Sequence, residues 1–225
     1  MDPRPHEHIV KSFDAELARL TAEIAAMGRD AGAQLAAAFA ALEQGDTVAA
    51  RAVIEHDDRI DDRERGISQD VVRLLALRQP MASDLREVLA ALRIASDIER
   101  IGDHAVNVAR RVLDLAGTAP RPPVAGLAAM AAAAAAMVED VLRAWEQRDE
   151  ALARAVWQRD SALDTQYSGL VRELLTWMME DPRWITAGTH LLGVARNLER
   201  IGDYATNIAE SVWFAVGRGD LKAER

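Results

Sequence analysis

Eight acidic residues carry the chemistry most legible in this chain. Asp57 and Asp61 stand four positions apart, as do Glu99 and Asp103, and the same spacing recurs in Asp160 and Asp164 and in Glu199 and Asp203. Carboxylates at i, i+4 share a helix face and repel each other unless positive charge lies between them. In an antiparallel helical hairpin, residues at one level have numbers with a constant sum. Asp57 with Asp103 and Asp61 with Glu99 both give 160, which centres the turn on Pro80. Asp160 with Asp203 and Asp164 with Glu199 both give 363, which centres the second turn on Asp181–Pro182. The numbering therefore predicts two sets of four carboxylates, each set at one level on two helices. At about 6 Å and an effective dielectric near 20, each pair within a set costs about 2–3 kcal/mol before salt screening.

Three kinds of chemistry relieve that repulsion. Arg100 and Arg200, next to the glutamates, could bridge acids on neighbouring helices as a salt-bridge lattice. A metal ion could sit among the acids. Or the acids could form a catalytic acid/base pair. The donors of a metal site here are all oxygen, which favours Mg²⁺, Mn²⁺, Ca²⁺ or iron. Structural zinc finds neither cysteine nor paired histidine. A ferritin-like di-iron centre needs a Glu-x-x-His step on each of two helices. Neither acid group has one. His56 and His104 lie beside the first group, but their repeat partners are Arg159 and Tyr204, so both histidines read as incidental.

The elements that must position these acids follow from the prolines, at 3, 5, 80, 120, 122, 123 and 182. Proline breaks helix interiors, so four proline-free stretches remain, long, short, long, short. The first long stretch breaks at Gly45-Asp46, where glycine ends one helix and aspartate caps the next. Asp149 is the matching cap in the second. Six helices result, over about 9–44, 47–78, 82–116, 124–147, 150–180 and 184–216. Glu43–Asp61 repeats as Glu146–Asp164 with nine of 19 positions identical, and Ala95–Ala109 as Ala195–Ala209 with nine of 15. The fold class is therefore all-α, two tandem pseudo-symmetric three-helix bundles. The first unit covers 1–117, a proline-rich linker 118–123, and the second unit 124–225. Ile101/Ile201, Ala105/Ala205 and Val108/Ile208 have the spacing of a buried stripe, and Gly102/Gly202 inside the helix suggests close helix approach.

Composition supports this and excludes much else. The 225 residues are 50% hydrophobic and 28% charged, and 44 are alanine. That is enough apolar material for a core, and the alanine favours helix over strand. No cysteine is present. Disulfides, thiolate metal sites and cysteine nucleophiles are therefore absent. The net charge is −9. It argues against nucleic acid and leaves cations or basic protein surfaces as partners. The polar N-terminus is no secretory signal. Residues 124–138, with the alanine run 131–136, are too short and too weakly apolar for a membrane span, so no membrane insertion and a cytoplasmic location are expected. Phosphate loops, nucleophile elbows and metalloprotease motifs are missing. The five tryptophans, all in the second half, read as core or interface packing.

The segments FDAELARL, RAVIEHD, RQPMASDLR, IERIGD, LTWMMED and LERIGD together resemble the PhoU family of bacterial phosphate-transport regulatory proteins, over nearly the whole chain. The resemblance implies two pseudo-symmetric three-helix bundles and no enzymatic activity. It implies metal ions, with iron, zinc, manganese or magnesium as candidates, held by Glu/Asp-x-x-x-Asp motifs. By position these are Asp57, Asp61, Glu99, Asp103, Asp160, Asp164, Glu199 and Asp203. It also implies a cytoplasmic negative regulator, a homodimer, that links the ATPase subunit of a phosphate ABC transporter to a sensor histidine kinase. Asp97 is replaced by Asn197 in the second half, so the two clusters are expected to differ in metal occupancy. The rival readings are a metal-dependent hydrolase or oxidase using the same acids, and a purely structural bundle with arginine-paired clusters.

Overall fold

The computed structural model describes residues 5–118, 125–217 and 221, all helix and turn with no strand among them. The helices are α1 (Pro5–Gln44), α2 (Thr47–Glu55), α3 (Asp58–Arg78), α4 (Ala82–Leu115), α5 (Ala125–Gln147), α6 (Glu150–Glu180) and α7 (Ile185–Ala215), with a short 3-10 turn at Pro182–Trp184. The linker expected at 118–123 lies outside the described residues, apart from Thr118.

Both expected caps are present. Asp46 accepts hydrogen bonds from the backbone N–H of Val48 and Ala49, and Asp149 from that of Leu152. Two residues before each helix the backbone is left-handed. Gly45 has φ 64° and its counterpart Arg148 has φ 52°. Glycine adopts that conformation at no steric cost, whereas arginine is strained there.

The second helix departs from expectation. It was expected to run unbroken over 47–78, but it breaks at His56–Asp57, giving α2 and α3. His56 N–H is shared between the carbonyls of Ala52 and Val53, and the next bonds, Arg59 to His56 and Ile60 to Asp57, span three residues rather than four. The matching α6 runs straight through.

Each half is a three-rod bundle: α1, α2/α3 and α4, then α5, α6 and α7. The halves join where α4 lies antiparallel against α7, with α1 touching α5, so one apolar core runs through both. Ile101, Ala105 and Val108 and their counterparts Ile201, Ala205 and Ile208 are fully buried. The periodicity requires this. Gly102 and Gly202 do mark close approach. A Cβ on Gly102 would lie 2.9 Å from Ile60 Cδ1, and one on Gly202 only 2.2 Å from Leu163 Cδ2. By length and composition α5 could cross a membrane, yet its face Leu127, Met130, Ala134, Met137 and Val141 is buried in the shared core. Trp145 and Trp213 are also buried.

Candidate metal centre

The hairpin geometry brings the predicted acids together in both halves, though not four by four. In the second half, carboxylate oxygens of Asp164, Glu199 and Asp203 all lie within 4.8 Å of one another. Oxygens bound to one hard cation at about 2.0–2.6 Å are at most ~5 Å apart, so this trio fits such an ion as placed. Asp160, expected as the fourth member, stands outside the trio: its Oδ1 lies 3.2 Å from the Thr206 hydroxyl, whose single proton is shared between that carboxylate and the Gly202 carbonyl at 3.0 Å. A residue that sequence reasoning passed over thus holds it. The signal was present in the repeat, where Thr206 replaces Val106 in a buried stripe.

In the first half, Asp57 is held by Gln34 of α1, whose Nε2 donates to its Oδ1 at 2.9 Å and to the Gly102 carbonyl at 3.2 Å. Asp57 makes no side-chain cap bond to α3, so its carboxylate stays turned toward α1 and α4. Among the described residues, no trio in this half closes to 4.8 Å. The acids nevertheless feel one another. Burial, then Asp57 and Asp103, push the Asp61 carboxyl above its ordinary range. Removing water disfavours the charged form, and so does each like charge nearby. Burial, then Asp103, do the same to Glu99, with Asp61 and Glu64 adding and Arg100 opposing. Glu64 is an acid that the spacing argument did not include. In the second half, burial and then Asp203 raise Glu199, with Asp164 adding and Arg200 opposing.

Arginine is present at both clusters, but not as a bridge between helices. Arg100 reaches Glu99 at 3.3 Å and Asp103 at 3.0 Å, both on its own helix. Arg200 pairs with Asp203 at 2.8 Å, again one turn away on α7. The expected inter-helix lattice is therefore corrected to local pairs. A guanidinium that follows a glutamate in sequence and lies one turn before an aspartate reaches them more easily than it reaches another rod. Both pairs are half-exposed. Such pairs are of modest worth, and these leave Asp61 and Asp164 to face the other acids.

The histidines serve other contacts. His56 Nδ1 lies 2.6 Å from the Ala52 carbonyl, and His104 Nδ1 lies 2.7 Å from Asn197 Oδ1 while its ring stacks on Tyr204 across the α4–α7 seam. Asp97, on the same seam, is mostly buried; burial pushes its carboxyl up to about 7, against a hydrogen bond from Asn207, with Glu210 raising it further and Arg93 opposing.

Known proteins share this architecture and sequence. The family described as PhoU domain matches twice, at residues 24–112 and 127–212. The chain is 54% identical over 207 residues to a phosphate-specific transport system accessory protein PhoU homolog of Xylella fastidiosa (strain 9a5c), covering 92% of this chain and 87% of that one. It is 44% identical to the protein of the same description in Rhizobium meliloti (strain 1021), covering 98% and 93%. The crystal structure of PhoU from Pseudomonas aeruginosa superposes with a TM-score of 0.88 at 40% identity, covering 91% of this chain and 98% of that one. The phosphate transport system regulatory protein PhoU from Streptococcus pneumoniae gives 0.85 at 31% identity, covering 91% and 97%.

Proposed function

The chain belongs to the PhoU family, and from that premise we propose that it is a regulatory accessory protein of a phosphate-importing ABC transporter, not an enzyme. In this reading it is a cytoplasmic negative regulator of phosphate uptake and of the phosphate-starvation response. It joins the transporter's ATPase subunit to a sensor histidine kinase, and it works as a homodimer. The kinship supports the transport role and the non-enzymatic character. The adaptor role is supported by the duplication, which gives the molecule two like acidic faces, one for each of two partners.

Metal ions are the cofactors of this reading, bound first at Asp164, Glu199 and Asp203 and then at Asp61, Glu99 and Asp103, with Asp57 and Asp160 completing the shells. The convergence of Asp164, Glu199 and Asp203 within 4.8 Å is the observation that carries it. Carboxylate-only donors favour manganese, magnesium or iron over zinc. A bound cation would supply the counter-charge that the local arginine pairs do not. It would fix the α6–α7 and α3–α4 faces as rigid surfaces, and partners would read those faces. The test is metal analysis of the purified protein together with co-purification of the transporter ATPase. Glu199→Ala/Asp203→Ala and Glu99→Ala/Asp103→Ala should each lower the metal content and weaken the association. Unchanged metal and association in both variants contradict it.

One observation favours a second reading, a purely structural bundle. Arg100 and Arg200 already pair with three of the eight acids, Glu99, Asp103 and Asp203. Under that reading Arg200→Ala destabilises the protein and no divalent ion restores it.

A further inference from the structure

The two arginines that engage the acids are repeat partners of each other, and both stand at the centre of the seam. α4 and α7 run antiparallel there. Arg111 lies against Gly193, Asp114 near His190 and Asp97 beside Asn207, and the numbers of each pair sum to 304. The same sum sets Arg100 level with Tyr204 and His104 level with Arg200. Four side chains therefore form a square, with the two guanidinia on one diagonal.

The other diagonal is a fixed floor. His104 stacks on Tyr204 with ring centroids 5.6 Å apart. Its Nδ1 lies 2.7 Å from Asn197 Oδ1, and Asn197 is held in turn by donating from Nδ2 to the Gly193 carbonyl at 2.7 Å. The Tyr204 hydroxyl makes no hydrogen bond among the described residues. Both guanidinia feel it. Arg100 is held above its ordinary range first by Glu99 and then by Asp103, with Tyr204 adding; Arg200 first by its hydrogen bond to Asp203, with Glu199 and Tyr204 adding; burial opposes in both.

Each guanidinium is engaged with acids of its own helix, Arg100 with Glu99 and Asp103 and Arg200 with Asp203. A cation at those carboxylates takes the oxygens and releases the arginines beside one unpaired phenol. Two unpaired guanidinia at one place call for an anion. A cavity of about 620 Å³ adjoins them, with Arg200, Tyr204 and Asn207 in its wall. Asp160, Asp203 and Glu210 line it too. An anion is therefore repelled there until positive charge is added.

We propose that the seam centre is an oxyanion site of the cation-loaded protein, where Arg100, Arg200 and the Tyr204 hydroxyl bind a tetrahedral dianion of the inorganic phosphate type. Forked guanidinia suit such an ion, whose oxygens accept several charge-assisted hydrogen bonds at once. The two ligands then support each other. The cation neutralises carboxylates that repel the anion, and the anion keeps the arginines away from those carboxylates. Release of the arginines rests on the metal reading of the two clusters.

The test titrates inorganic phosphate into isotope-labelled full-length protein, followed by amide chemical shifts, in EDTA and in saturating Mg²⁺ whose own binding is first measured by calorimetry. Phosphate should shift residues 100–104 and 200–204, and bind at least about ten-fold more tightly with Mg²⁺ than without. Arg100→Gln and Arg200→Gln should each weaken phosphate about five-fold or more, while Mg²⁺ binds at least as tightly as to the parent. A Glu99→Gln/Asp103→Asn/Glu199→Gln/Asp203→Asn variant frees both arginines without a metal. It should bind phosphate in EDTA within about three-fold of the parent in Mg²⁺. Mg²⁺ that fails to bind the parent overturns the metal reading, whereas phosphate that fails to bind this variant overturns the oxyanion site itself. N-acetyl-phosphoserine amide forms a second arm: tighter binding than phosphate assigns the site to a phosphoryl group on a partner, weaker binding to the free ion. Equal phosphate affinity in Mg²⁺ and EDTA, shifts away from the seam centre, or unchanged affinity in both arginine variants overturns the proposal.

Discussion

The two halves place the same acids on the same helix faces and use them differently. In the second, Asp164, Glu199 and Asp203 converge, and Arg200 forms its ion pair with Asp203. In the first, Arg100 engages both Glu99 and Asp103, and among the described residues no trio draws as close. Each half also diverts one aspartate by its own means, Gln34 from the first rod for Asp57 and Thr206 from the third rod for Asp160. Duplication thus preserves where carboxylates stand. Neighbours that were not duplicated decide how many of them face a common point. On the proposed metal reading, the second cluster needs only Arg200 to leave Asp203, whereas the first needs Arg100 to leave both Glu99 and Asp103.

The largest expected effect follows directly. Glu199→Ala/Asp203→Ala should abolish the tighter class of Mn²⁺ sites in calorimetry, a loss of about 100-fold or more, because two of three converging ligands are gone. Glu99→Ala/Asp103→Ala should remove only the weaker class. Equal affinities in the two halves would break the comparison.

The glycines sharpen it next. Gly202→Ala drives a methyl to 2.2 Å from Leu163 Cδ2. It should cost about 1–3 kcal/mol in urea unfolding, as overpacking does. Gly102→Ala meets Ile60 Cδ1 at 2.9 Å. The better helix propensity of alanine should hold its cost below about 1 kcal/mol.

The seam gives a pH test. Asp97 holds its proton up to about 7 in the fold, against 3.8 as the ordinary value. An acid whose folded value is raised contributes stability that is fully present below the unfolded value and lost as pH rises through the folded one. Asp97→Asn keeps the neutral form at every pH. Its melting temperature should match the parent below about pH 4, exceed it increasingly as the pH rises from about 4 to about 7, and keep a constant excess above that.

The smallest effect lies at the caps. Arg148 is left-handed and pairs with Glu87. Arg148→Gly relieves the backbone by up to about 1 kcal/mol but takes its partner from the largely buried Glu87 carboxylate, so the net change should stay within about 1 kcal/mol. Gly45 shares the conformation. Gly45→Ala should lose about 1 kcal/mol, measured in the same way.

Much of this was legible in the sequence because the governing signals are local or periodic. Pro80 and Pro182 mark the hairpin tips, Asp46 and Asp149 cap as expected, and constant index sums put Asp61 near Glu99 and Asp164 near Glu199. What was not legible depends on partners from elsewhere. Gln34 lies before the repeated stretch that opens at Glu43, so its hold on Asp57 has no spacing to betray it. The break at His56–Asp57 comes from shared carbonyl bonds that α6 does without. Arg100 and Arg200 chose local partners through side-chain geometry, which residue spacing does not encode. The square at the seam centre appears only when repeat positions are compared across two packed helices.

Anomalous diffraction from crystals grown with Mn²⁺ tests the central claim most directly. The account predicts a strong peak enclosed by Asp164, Glu199 and Asp203, with a weaker one beside Asp61, Glu99 and Asp103 at higher concentration. A map without a peak at either place, with the arginine pairs intact under saturating Mn²⁺, would contradict it.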